Sequence, residues 1–208
     1  MPGEQRPRWN HNIHYHRVVV DAVPDGATSA LDVGTGNGLL AADLRDRVAR
    51  VVAIDVDDAV LEAARRERGD IDWLHGDVLT YPFGETFDVV ASVATLHHLP
   101  DPRSALRRLA ALASPGGVVV VIGLARATRP WEYVLAVCGV LQHRWLSWRN
   151  GYWEHTAPTV WPPAQSYSEI RHHARAELSG VRWKLLPMFR YALIWRKPGG
   201  ECEDLDQG

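Results

Sequence analysis

The run Asp32-Val33-Gly34-Thr35-Gly36-Asn37-Gly38 sets three glycines at alternate positions, directly after the apolar pair Ala30-Leu31 and ahead of Leu39-Leu40-Ala41-Ala42. Strand, tight glycine turn and helix together make a ligand cradle. Glycine permits positive φ and close approach to the backbone, and the free amides of the following helix favour acceptor or anionic groups. A dinucleotide fingerprint would need a small residue at position 39, which is Leu, and a phosphate loop would need a lysine that the turn lacks. Asp55 closes the run Val51-Val52-Ala53-Ile54, and Asp77 follows Ile71 to His75. At strand ends, the first carboxylate can accept from two vicinal hydroxyls of a ribose and the second from an exocyclic amine. His97 and His98 come just past another apolar run. Either imidazole can take a proton near neutral pH, or simply hydrogen-bond backbone and pack. His11, His14 and His16 lie close together without an acidic or cysteine companion, and their spacing matches no zinc pattern, so no metal is assigned.

These residues need a frame that brings strand ends to one edge. From Ala30 to Gly123, β-branched runs alternate with helix-like segments, the signature of a parallel sheet flanked by helices. Strands are expected at 29–33, 51–55, 71–75, 86–92 and 117–123, with helices at 38–48, 58–68 and 102–113. A short helix over Tyr15 to Val23 should stop at Pro24. Val181 to Arg196 reads as an antiparallel hairpin joined at Leu186-Pro187-Met188, with Phe189, Tyr191, Leu193 and Trp195 on one face. The fold class is therefore α/β, a Rossmann-like three-layer sandwich around a mostly parallel seven-stranded sheet. Residues 1–198 form one domain, with an aromatic-rich helical cap over 126–178 and a disordered tail over 199–208.

Composition bounds the partners. With 208 residues, 46% hydrophobic and 23% charged, the chain can bury a real core, and its formal net charge of -2 argues against a large polyanionic partner. Cys138 and Cys202 form no ligand pattern, and the N-terminus MPGEQRPRWN lacks the apolar core of a signal peptide. A cytoplasmic protein without a membrane span is expected.

Asp32-x-Gly34-x-Gly36-x-Gly38, Asp55 and Asp77 resemble the successive motifs of class I S-adenosylmethionine-dependent methyltransferases. Phe87-Asp88-Val89-Val90, Leu96-His97-His98-Leu99 and Ser114-Pro115-Gly116-Gly117 resemble that family's later segments. The likeness is to its small-molecule, type 11/25 branch and covers about residues 12–124. It implies S-adenosylmethionine as cofactor, with Gly34, Thr35 and Gly36 at the methionine portion and Asp32 near its amino group. Asp55 and Val56 would meet the ribose and Asp77 and Val78 the adenine, Ser92 would be a further cofactor contact, and Tyr15 would cover the methionine carboxylate. His97 or His98 would serve as base or substrate contact. The turn Ser92-Val93-Ala94-Thr95 lacks the Asn/Asp-Pro-Pro-aromatic run of enzymes that methylate base amines.

The stretch 126–167 carries Trp131, Tyr133, Trp145, Trp148, Tyr152, Trp153, Trp161 and Tyr167. Acceptor pockets are lined mainly by apolar and aromatic groups, so Trp131, Trp148 and Trp153 are the candidate acceptor contacts, under helices near 130–143 and 166–178. The leading expectation is methyl transfer to a small or medium-sized organic acceptor. A nucleic-acid or protein methyltransferase using Arg126, Arg129, Arg144, Arg149, Arg171 and Arg175 is the alternative, as is a binding protein of the same fold without turnover.

Overall fold

The computed structural model describes residues 9–153 and 162–199; Trp161, Cys202 and the expected tail from residue 200 onward lie outside the described residues. Valine and isoleucine runs that are apolar on both alternations suit a sheet covered on two faces. They form β1 (Ser29–Val33), β2 (Arg50–Asp55), β3 (Asp72–His75), β4 (Phe87–Val93) and β5 (Ala113–Leu124). The hairpin follows as β6 (Arg182–Leu186) and β7 (Arg190–Arg196). The sheet order is β3-β2-β1-β4-β5-β7-β6, parallel through β5, with β7 antiparallel to both β5 and β6. The expected sandwich and terminal hairpin are both present. β5 starts earlier than its valine run because Ala113 already pairs with Phe87, across a register shift against β4.

Alternation sorts the side chains into two cores. Leu31, Val90, Val119, Val121, Leu193 and Trp195 pack toward α4 (Pro102–Leu112) and α6 (Tyr167–Glu177). Ala30, Ala53, Val89, Val120 and Ala192 pack toward Val19 of α1 (His16–Val20) and Leu40, Ala41 and Leu44 of α2 (Leu39–Arg45). α3 (Asp58–Glu67) starts at Asp57, whose carboxylate accepts from the amides of Ala59 and Val60, and α4 starts the same way at Asp101.

The segment between β5 and β6 divides differently from the expected 126–178 cap. The Arg126 amide donates to Gln165 O at 2.8 Å and Arg126 bridges to Ser166, so the chain leaves and returns at one point. α5 (Pro130–Asn150) belongs to this excursion. α6 does not: Ile170, Ala174 and Leu178 join the α4 core, and Glu177 pairs with Arg103 and Arg107. Of the residues in α5 only Glu132 and Gly139 are buried, and Trp131, Val134, Leu141, Trp145 and Trp148 are exposed. Among the described residues no helix is long and apolar enough to cross a membrane.

Candidate active site

A cavity of about 820 Å³ lies over the carboxyl ends of the parallel strands. At one end the β1 turn is fixed by amides of Gly34 and Thr35 donating to Ile54 O at 2.9 and 3.2 Å. Gly34 has φ of 69°, and a Cβ there would stand 2.2 Å from the Thr95 hydroxyl oxygen, so the β1 and β4 turns touch only because position 34 is glycine. Gly36 also has positive φ, but a Cβ on it would meet nothing within 4 Å, since it borders open space.

Asp55 ties this turn to β2. One carboxylate oxygen accepts from the Gly36 amide at 2.8 Å and the other from the Asp57 amide at 3.0 Å. A carboxylate offers roughly four lone-pair sites, so both oxygens keep capacity for a ligand. Asp32 is buried, with its carboxylate accepting from the Thr35 hydroxyl at 2.7 Å. Burial pushes its carboxyl up to about 6, against the pull of Thr35 and His16. Asp77 accepts from the Leu79 amide at 2.9 Å and lines the cavity beside Val78, while Val56, 68% exposed, lines it next to Asp55.

His97 and His98 both line the cavity, with ring centroids 4.0 Å apart. Burial, reinforced by His98 and Arg190, pulls His97 down to about 4, and its Nδ1 is buried without a partner. Burial also lowers His98, against the opposing pull of Asp55. Both imidazoles are therefore neutral at pH 7.

Four expected contacts sit elsewhere. Ser92 is buried beneath the β1 turn and its hydroxyl donates to Val33 O at 3.3 Å, joining β4 to β1 rather than facing the cavity. Tyr15 is buried in the α2-side core and donates to Pro187 O at 2.8 Å, so it braces the β6–β7 turn instead of covering a ligand. Trp131 and Trp148 are 52% and 83% exposed on α5 and do not line the cavity, whereas Trp153 does. The three N-terminal histidines diverge: His16 pairs with Asp43 at 2.7 Å, His11 faces His143 and Tyr152, and His14 packs on Trp9 and Tyr15.

The far end holds residues that sequence reading missed. Met188 and Phe189 in the β6–β7 turn have φ of 55° and 62° and line the cavity. Phe189 thus leaves the strand face it was expected to share with Tyr191. Such backbone needs bracing; Tyr15 supplies some, and Gly139 of α5 lies so close that a Cβ there would be 2.4 Å from the Met188 amide nitrogen. Arg190 follows, 3% exposed, donating from one terminal nitrogen to Asn12 Oδ1 at 2.7 Å. The signal was present: Arg190 alternates with Ala192 and Ile194 on a core-facing side, where a charge is out of place.

Residues 31–121 match the family model described as a methyltransferase domain. An uncharacterized methyltransferase of Mycobacterium tuberculosis is 41% identical over 197 residues, spanning 91% of this chain and 98% of that protein. A ubiquinone biosynthesis O-methyltransferase of Stutzerimonas stutzeri is 36% identical over 52% of this chain and 49% of its own length. The solved structure of the N-methyltransferase NodS from Bradyrhizobium japonicum with S-adenosyl-L-homocysteine has a TM-score of 0.59 at 18% identity, covering 89% of this chain and 86% of that one.

Proposed function

This chain belongs to the class I S-adenosylmethionine-dependent methyltransferases, and from that premise we propose that it methylates a small or medium-sized organic acceptor held at the Arg190 and Trp153 end of the cavity. The observation that carries this is the continuity of one space of about 820 Å³ from the acidic strand ends to the aromatic roof. Ligand sites usually run to roughly 300–1,000 Å³, so donor and acceptor fit together. The small-molecule acceptor of the ubiquinone biosynthesis relative is consistent with it.

The residues present fit the cofactor. Gly36 borders open space, Asp55 is clamped by two amides, and Asp32 is a buried carboxylate that a ligand ammonium would hold ionised. S-adenosylmethionine, when bound, supplies a sulfonium methyl and leaves as a neutral thioether, so no acid has to protonate the leaving group. Gly34, Thr35 and Gly36 would cradle the methionine portion, Asp55 and Val56 the ribose, and Asp77 and Val78 the adenine. The protein's remaining contribution is alignment, which can supply most of the acceleration of an in-line displacement. His97 or His98, neutral at pH 7, would take a proton from a hydroxyl acceptor. Trp153 would contact the acceptor.

The test is to incubate the protein with labelled S-adenosylmethionine and fractionated cell extract and to identify which fraction gains label. Label in a low-molecular-mass compound, transferred equally at 50 and 500 mM salt, is the expected result. Label only in nucleic acid or protein, lost at high salt, would overturn the acceptor assignment.

A further inference from the structure

Arg190 stands at the start of β7 opposite Leu124, the last residue of β5, and two strands, β4 and β5, lie between it and the glycine turn of β1, a distance of three strand spacings. At about 4.8 Å per strand this is roughly 14 Å along the sheet edge. Its guanidinium is almost wholly buried yet lines the cavity. One terminal nitrogen is committed to Asn12, and Nε, also buried, has no hydrogen-bond partner. Among the described residues no carboxylate pairs with it; the hydroxyls of Tyr15, Tyr167, Tyr152 and Tyr191 favour its charge, and His97 lies close enough to feel it. Burial pulls the guanidinium down to about 10, which still leaves it protonated at neutral pH.

A buried cation without a counter-charge is strongly disfavoured unless something binds it. A guanidinium is also held in a planar fork suited to the two oxygens of a carboxylate. Asn12 fixes the orientation of that fork by accepting from one prong, and the turn of positive φ at Met188 and Phe189 directly precedes Arg190. The fold thus maintains an anion receptor at the end of the cavity away from the four aspartates that line the other.

We propose that Arg190 is the acceptor-specificity residue, its guanidinium binding a carboxylate carried by the methyl acceptor. The acceptor is accordingly an organic acid, recognised by its charge at a point distinct from the cofactor cradle. This rests on the reading that donor and acceptor share the cavity. Arg190 discriminates between acceptors and positions them; it does not exchange a proton in the reaction.

The test uses the protein loaded with S-adenosyl-L-homocysteine, titrated by calorimetry with shape-matched pairs: benzoate against benzamide, and succinate against succinamide. Binding of S-adenosyl-L-homocysteine to wild type is measured first, and its failure would sink the cofactor assignment and not this one. At least one acid should bind 10-fold or more tighter than its amide, the gain expected of a charge-assisted pair. Arg190→Gln should erase that preference and Arg190→Lys should keep part of it, with cofactor-product affinity within about 3-fold throughout. Acids and amides binding alike, no acid binding at millimolar concentration, or a preference that survives Arg190→Gln would each overturn the proposal. So would a collapse of S-adenosyl-L-homocysteine affinity in Arg190→Gln, since the carboxylate would then be the cofactor's own. Should Arg190→Gln fail to fold, the wild-type pairs and Asn12→Ala, which frees the fork, still decide it.

Discussion

The two ends of the cavity carry opposite charge and are built in opposite ways. Asp32, Asp55, Asp57 and Asp77 line one end, and each sits at or just past the carboxyl end of a parallel strand. Arg190 and Asn12 mark the other, where the N-terminal segment, the β6–β7 turn and α5 converge from remote parts of the chain. The first end is set by sheet register and by contacts within the turns that follow the strands, while the second depends on tertiary contacts between segments that have no register in common. A donor that bears a sulfonium and an ammonium suits the acidic end, and the acid proposed as acceptor suits the cationic one.

The comparison breaks most visibly at the β1 turn. Gly34→Ala should abolish cofactor binding and lower Tm, because the new Cβ meets Thr95 and the positive φ strains any other residue. A loss of about 2 kcal/mol for the backbone alone corresponds to roughly 4–8 °C in a chain this size. Differential scanning fluorimetry with and without S-adenosyl-L-homocysteine checks it, and an unchanged thermal shift on ligand addition would show that the turn is not the cradle. Asp55→Ala follows. Loss of two hydrogen bonds to a charged group, about 3 kcal/mol or more, predicts S-adenosyl-L-homocysteine binding weaker by roughly 100-fold or more by calorimetry.

Asp32→Asn should move affinity and stability in opposite directions. Its carboxyl, ordinarily near 4, is raised to about 6 by burial. Between those values the folded state binds more protons than the unfolded, so stability falls as pH rises through the window. Two pH units amount to about 3 kcal/mol, given up by the ligand-free wild type at pH 7 and absent below pH 4. The asparagine variant is expected to be the more stable at pH 7, to lose that advantage toward pH 4, and to bind S-adenosyl-L-homocysteine about 10-fold more weakly. Urea unfolding at the two pH values measures this, and a variant less stable than wild type at pH 7 would contradict it.

Legibility in the sequence follows the same division. Asp55 and Asp77 could be placed because a strand of known length ends where its apolar run ends, and parallel strands deliver those ends to one edge. Ser92 misled because it alternates with Val90 on a covered face of β4, so its hydroxyl meets Val33 O rather than the cavity. Tyr15 misled because a helix face gives no hint that its hydroxyl reaches Pro187, far away in sequence. For α5, periodicity could not say which side would be covered: the helix meets the body through Gly139 and Leu146, and most of its aromatics remain outward. Arg190 was readable only as an anomaly in an otherwise apolar alternation, whose meaning required knowing that β7 begins at the cavity.

The histidines sharpen the boundary between the two ends. With His97 drawn down to about 4, protonation of this ring does not limit the rate near neutrality. If it is the base, kcat/KM should be flat from pH 6 to 8 on its account and fall only in the region of pH 4–5. His97→Gln should then reduce kcat by about 100-fold or more for a hydroxyl acceptor and leave cofactor affinity unchanged. A rate that rises through pH 6.5 in both wild type and variant would remove His97 from the chemistry.

The smallest effect separates three tryptophans that composition alone made equivalent. Trp153 lines the cavity, and its amide donates to Trp9 O at 2.8 Å, joining the N-terminal segment to the end of α5. Trp153→Ala removes an aromatic wall and should raise acceptor KM several-fold, the consequence of about 1 kcal/mol of lost contact. Trp131 and Trp148 are exposed on α5 and do not line the cavity. Their alanine variants should leave acceptor KM and kcat as in wild type. If Trp148→Ala instead raises KM as much as Trp153→Ala, the acceptor reaches beyond the cavity onto α5, and the roof rather than the cationic end would be the larger part of the acceptor site.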